Sequence, residues 1–229
     1  LLLLETLLLS ASLASGSSPE WGAFRGPNSS GVCAAKSLPA DIGPDRSVIW
    51  KVAAPAGKSS PVLSGDRIFL TGHRGDKLLT VSFDRTSGAQ LWEREIVRSR
   101  ESRRNALNDP AGPTPVTDGT AVYVFFADYG LAAYDLKGSE LWRAPMGPFE
   151  NEHGMAASPA LADGRLIVLA DLMKGSHMAA YDAKSGKQAW KVARRDTLGG
   201  YSTPAIYSPK SGPAQVIVSG PFEVAGCFR

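Results

Sequence analysis

Cysteine and histidine are scarce: the 229 residues hold two Cys and three His. Cys33 and Cys227 lie far apart, so the dense disulfide framework of a small secreted domain is excluded; a single bridge stays open. There is no CxxC motif, no phosphate loop and no Ser-His-Asp pattern, so the common redox, nucleotide and hydrolase signatures find no support. No apolar run reaches the roughly 20 residues of a membrane helix. The formal net charge of +3 is too small to point to nucleic acid or to an anionic membrane surface.

What the chain does have is glycine and proline, 24 and 16 of them, in a 43% hydrophobic background with 21% charged residues. That is an ordinary soluble composition with many turns. The turns are ordered by a repeat. Ser82 to Trp92 reads Ser-Phe-Asp-Arg-Thr-Ser-Gly-Ala-Gln-Leu-Trp, and Ala180 to Trp190 reads Ala-Tyr-Asp-Ala-Lys-Ser-Gly-Lys-Gln-Ala-Trp. Ala133 to Trp142 is the same phrase, one residue shorter in the turn. Each copy gives an aromatic residue, an Asp, a turn with Gly, and a Trp. The three Trp residues lie 50 and 48 positions apart, a spacing that marks a repeat architecture.

Each element of the phrase has a physical reason. Asp84, Asp135 and Asp182 stand where an Asp accepts hydrogen bonds from turn amides. Gly88, Gly138 and Gly186 supply positive φ at low cost. Trp92, Trp142 and Trp190 follow on the outgoing strand of a hairpin. A lone hairpin is marginal in water, so each ring needs a neighbouring unit to bury against. The leading reading of these residues is structural docking; a carbohydrate or cofactor platform is the minor one.

A second shared phrase precedes each copy. Ser60-Pro61-Val62, Thr114-Pro115-Val116 and Ser158-Pro159-Ala160 each open an apolar stretch broken by Gly-Asp or Asp-Gly, and Thr203-Pro204-Ala205 begins a fourth. Proline is tolerated at the start of a strand, and the Asp-Gly pairs are hairpin turns. One repeat is therefore four short strands, and four strands at this spacing make a propeller blade. The predicted fold is all-β: a propeller of four-stranded antiparallel blades, present as about three full blades plus partial ones.

These phrases resemble the PQQ-like β-propeller repeat family, whose docking motif is Tyr-Asp-x-x-x-Gly-x-x-x-Trp. The resemblance runs from about Trp21 to Phe222. The stretch Trp21 to Val32 also looks like the opening of secreted bacterial members. The dehydrogenases of that superfamily bind their quinone with adjacent cysteines, a Ca²⁺ site and an Asp base. This chain has no Cys-Cys pair and no matching carboxylate set, so the resemblance carries neither PQQ nor Ca²⁺ to it. What it implies is a non-enzymatic scaffold, periplasmic or extracellular, that binds a protein or ligand. The propeller lipoproteins of outer-membrane β-barrel assembly are similar in this. The alternative is part of a quinoprotein dehydrogenase whose catalytic residues lie elsewhere.

In chain order, residues 1–16 read as a truncated signal peptide, apolar with a small-residue site at Ser12-Leu13-Ala14. Residues 17–46 read as an extended lead-in that Trp21 and Phe24 staple onto the propeller. Residues 47–229 form the propeller, incomplete at the C-terminus, with Ser47 to Val52 expected as a Trp strand around Trp50. The Arg-rich stretch from Arg94 to Arg104 reads as a solvated loop between blades. His73 and His177 read as turn residues. His153, with Glu152 and Asn151, precedes an inner strand and is the candidate group facing the central channel; its spacing matches no metal motif.

Overall fold

The computed structural model describes residues 21–220 and the backbone of 223–228. The expected signal segment 1–16 lies outside the described residues. Each repeat folds into one antiparallel sheet in simple meander order. Blade one is β1 (Val62–Ser64), β2 (Arg67–Arg74), β3 (Lys77–Asp84) and β4 (Gln90–Val97). Blade two is β5 (Val116–Thr117), β6 (Ala121–Phe126), β7 (Gly130–Asp135) and β8 (Glu140–Pro145). Blade three is β9 (Ala160–Ala162), β10 (Arg165–Ala170), β11 (His177–Asp182) and β12 (Gln188–Ala193). A fourth sheet has β13 (Ala205–Tyr207), β14 (Gln215–Gly220) and β15 (Glu223–Phe228). Pro61, Pro115, Pro159 and Pro204 each sit just before the first strand of a sheet, where a missing N–H breaks no ladder. The chain is thus an all-β propeller array.

The cores lie between blades. Val62, Phe69, Leu78, Trp92 and Ile96 of blade one meet Val122, Val124, Phe126, Ala132 and Tyr134 of blade two. Tyr123, Phe125, Leu131 and Ala133 point the other way, onto Leu166, Val168, Ala170 and Tyr181 of blade three. Ile167, Leu169 and Met178 then face Val216 and Val218 of the fourth sheet. A middle blade buries both faces. That is why β6, Ala-Val-Tyr-Val-Phe-Phe, is apolar throughout and buried at every position rather than alternating.

Every full blade carries the same irregularity. Ser82 pairs with Trp92 but Phe83 pairs with Gln90, so Leu91 is left over. The same skip leaves Leu141 over in blade two and Ala189 in blade three. This β-bulge bends the fourth strand and re-aims the following Trp toward the next blade. It also explains why Leu91 and Leu141, apolar residues in a strand, are exposed.

The lead-in differs from expectation in one place. Residues 47–52 form no strand; Trp50 instead lies against Gly88 of blade one, and its indole nitrogen donates to the Arg85 carbonyl at 2.9 Å. Trp50 therefore occupies a docking position with no strand of its own among the described residues. Further upstream, the Leu63 amide donates to the Trp21 carbonyl (2.9 Å) and the Thr117 amide to the Gly22 carbonyl (2.8 Å). The lead-in is stapled across the inner strands of blades one and two. No helix among the described residues is long and apolar enough to cross a membrane.

Candidate functional site

A meander blade has two rims. One, the turn rim, holds the hairpins between its first and second and its third and fourth strands. The other, the connector rim, holds the hairpin between its second and third strands and the connector to the next blade. The docking residues all sit at the turn rim. Trp92 lies against Gly138 and its Nε1 donates to the Leu136 carbonyl at 3.0 Å; Trp142 lies against Gly186 and donates to the Ala183 carbonyl at 2.9 Å. A Cβ on Gly88, Gly138 or Gly186 would stand 2.6, 2.7 or 2.5 Å from the ring, and all three have positive φ. Glycine is required twice over, by backbone and by contact.

The aspartates hold these turns. Asp84 Oδ1 accepts from the Thr86 and Ser87 amides (3.1 and 2.7 Å) and the Ser87 hydroxyl. Asp135 Oδ1 accepts from the Lys137 and Ser139 amides, both at 2.8 Å. Asp182 Oδ1 accepts from the Ser185 amide and hydroxyl at 2.9 and 2.7 Å. These bonds hold all three carboxyls below the usual carboxylate range; at Asp135 they outweigh an opposing desolvation. The Trp residues are not equally covered. Trp92 is buried at 7% exposure because Arg94 lies over its ring, 5.7 Å from the centroid. Trp142 and Trp190 are only half-buried, with Ala144 and Val192 where blade one has Arg94.

The connector rim holds buried ion pairs. The Arg-rich stretch is not a solvated loop. Arg98 and Arg104 both turn inward onto Asp128, whose side chain is fully buried, and the Ser102 amide donates to Asp128 Oδ1 at 2.8 Å. Arg100 donates to the Tyr129 carbonyl; Arg94, at the turn rim, donates to the Gly138 carbonyl. Blade three holds a pair within itself: the Arg194 guanidinium donates to the buried Asp171 carboxylate at 2.7 Å, whereas Arg98 of blade one reaches across to Asp128 of blade two. Sequence reasoning missed both carboxylates, yet a signal existed. Asp128 and Asp171 each come just after the second strand of a blade, and Arg98 and Arg194 each follow a fourth strand. A charge that recurs at the same place in two repeats calls for a buried partner, and the acidic residues just past the second strands supply it.

Around this frame lie the candidate channel residues, and the structure separates their roles. Asn151 is buried; its Nδ2 donates to the Asp171 carbonyl and its Oδ1 accepts from the His153 amide at 3.1 Å. It is a loop brace. The His153 carbonyl accepts from the Asn105 amide and the Asn108 side chain, tying two connectors together. The His153 imidazole is half-exposed, stacked on Tyr201 at 6.0 Å and 25°, with the Glu152 carboxylate 3.9 Å from Nε2. Burial holds the Tyr201 phenol above its usual value, with Glu152 adding to the push. Glu152, His153 and Tyr201 thus form one polar and aromatic patch on fixed backbone. His73 and His177 are strand residues rather than turn residues. Burial holds the His177 imidazole below its usual value. Among the described residues no three His, Cys, Asp or Glu side chains converge as metal ligands.

A family model described as outer membrane protein assembly factor BamB matches the chain twice, over residues 41–153 and 80–221. Among solved structures, BamB from Moraxella catarrhalis is similar at 19% identity and a TM-score of 0.52, covering 79% of this chain and 48% of that one. A quinohemoprotein alcohol dehydrogenase from Pseudomonas putida HK5 is similar at 17% identity and a TM-score of 0.51, covering 71% of this chain and 28% of that one. The chain thus spans less than half the length of either structure, and at these identities the likeness is one of fold. No curated protein sequence matches the chain.

Proposed function

Since the chain belongs to the family of the outer membrane protein assembly factor BamB, we propose that it is a non-enzymatic β-propeller scaffold, exported to the periplasm or beyond, that binds a protein partner through its connector rim. The observation that carries this reading is how the rim spends its charge. Asp128, Asp171, Arg98, Arg104 and Arg194 are turned inward to fix the connectors. Glu152, His153 and Tyr201 are left together at the surface. Rigid loops presenting a few polar and aromatic side chains suit recognition.

A quinone cofactor, as in the quinohemoprotein, does not fit the residues present. The two cysteines are not adjacent in the sequence, and among the described residues no three His, Cys, Asp or Glu side chains converge on a cation site. No step through PQQ or Ca²⁺ is derived. The second reading is a segment of a quinoprotein dehydrogenase with its catalytic residues elsewhere. It draws on the fold likeness to the alcohol dehydrogenase.

The test places a photo-crosslinking amino acid at His153 and, separately, at Lys187 on the turn rim of the full-length protein in its native host. Discrete adducts with a cell-envelope protein from position 153 but not 187 are expected. Equal labelling from both positions would overturn the rim assignment. Dye reduction by the full-length protein with PQQ, Ca²⁺ and alcohols, abolished by chelation, would favour the dehydrogenase. The export proposal predicts a mature N-terminus near Ser15 by mass analysis; an intact Leu1 on exported protein would count against it.

A further inference from the structure

The turn rim carries a cleft that the reading above leaves unused. It has a volume of about 460 Å³ and lies between the lead-in and the first-strand turns of blades two, three and four. The lead-in forms one wall. The backbone there is tightly hooked: the Gly26 amide donates to the Ala23 carbonyl (2.9 Å) and the Gly31 amide to the Arg25 carbonyl (2.8 Å). Arg25, Asn28 and Ser29 all sit at positive φ, a costly conformation for residues other than glycine.

The lining is one-sided in charge. Asp118 and Asp163 contribute carboxylates, while among the described residues no Lys, Arg or His lines the cleft, in a chain with 25 Lys and Arg. Asp118 is held ionised: the Thr120 and Ala121 amides and the Tyr123 hydroxyl all donate to it at 2.8 Å, and these bonds outweigh its desolvation. Asp163 accepts only from the Ala214 amide, at 3.3 Å, through Oδ2; among the described residues its other oxygen has no partner. Phe24, Leu161 and Ile206 supply apolar wall. A bare divalent ion is poorly served, since no three ligands converge among the described residues. A cationic head on an apolar stem satisfies both surfaces: the carboxylates take the charge, the aliphatic wall takes the stem, and an aromatic face attracts a cation.

We infer that the cleft between the Trp21–Gly31 hook and the Asp118 and Asp163 turns binds a primary alkylammonium group. The source is either a free amine or a lysine side chain of a peptide. Asp163 is the residue to test, because its carboxylate keeps an unused oxygen. Asp163→Asn removes the charge and preserves the turn, since Asn tolerates the φ of 46° found there. Phe24→Leu keeps the wall apolar and removes the aromatic face.

Binding is measured on the full-length protein by NMR titration, with n-pentylammonium and N-acetyl-lysine methylamide as probes and 1-pentanol and pentanoate as isosteres. Saturable shifts with at least one ammonium probe are expected, weakened by 0.5 M NaCl. Asp163→Asn should weaken binding roughly fivefold, the upper range for a partly exposed ion pair. Tighter binding of the capped lysine points to a peptide ligand, and binding of pentylammonium alone to a free amine; both support the inference. Equal binding of 1-pentanol, an unchanged affinity in a folded Asp163→Asn protein, or no saturable shift with either ammonium would overturn it.

Discussion

The indole ring of Trp142 rests on Gly186 so closely that a Cβ there would stand 2.5 Å from it. One contact joins the last strand of blade two to the turn of blade three, and its sequence signal is a Gly four residues before a Trp.

Gly186→Ala is therefore penalised by both backbone and contact, at a φ of 69°. The expected loss is about 2 kcal/mol. Trp92→Ala, at a buried ring, should cost about 3–5 kcal/mol. Urea midpoints of the two variants against the parent protein check both, and a Gly186→Ala midpoint equal to the parent's would undo the docking account.

Asp128→Asn leaves Arg98 and Arg104 facing a neutral amide around a fully buried position. About 3 kcal/mol of destabilisation is expected, because the two arginines then keep, among the described residues, only the exposed Glu101 carboxylate, 3.6 Å from each. Hydrogen exchange should show residues 98–104 opening first. Uniform loosening of the whole array would argue against a local clasp.

Tyr134→Phe should be neutral or stabilising by up to about 1 kcal/mol. The Tyr134 ring is fully buried, burial pushes its phenol up to about 12, and among the described residues its hydroxyl has no hydrogen-bond partner. Blade one already has Phe83 at the equivalent place. A clear fall in melting temperature would reveal a partner for the hydroxyl.

Acid should loosen the turn rim. Asp84, Asp135 and Asp182 sit below their unfolded value of about 3.9. Their contribution is fully present above that value and is lost as pH falls through the depressed folded values. Melting temperature should drop below about pH 4, and a triple Asp→Asn variant should show a shallower drop from a lower start. A parallel pH curve for parent and variant would contradict this.

Deleting Leu141 removes the bulge residue of blade two and turns Trp142 to the opposite face. Lengthening the preceding turn by one residue should be tolerated, because blades one and three already carry the longer turn. Tryptophan emission and melting temperature distinguish the two variants. Equal damage from both would show that the bulge does not set the aim of the ring.

Much of this was legible in the sequence. The repeat located four strands per blade because aromatic, Asp, Gly and Trp each answer a local demand, and local demands leave local marks. The bulge was not legible: Leu91 and Leu141 look like strand residues until the pairing across β3 and β7 is known. The role of Arg98 and Arg104 was hidden for a similar reason. A charge run looks solvated unless its partner is found, and Asp128 lies more than twenty residues away on another strand end. His153 was expected to face the central channel from its position before an inner strand; its imidazole lies half-exposed against Tyr201, while Asn151 beside it is a brace, a distinction that only hydrogen-bond partners make.

The docking contact gives the array a direction. Trp92 and Trp142 are offered forward from a blade's last strand, and the Gly138 and Gly186 turns receive them from behind, as Gly88 receives Trp50. The assembly therefore has a head and a tail, like a polar filament, and two like ends cannot join. A copied segment running from one Trp to the next would bring its own receiver and its own ring. Such a copy lengthens the array without leaving either half of the contact unmatched, so blade number can change by duplication while the chemistry of every junction is inherited intact.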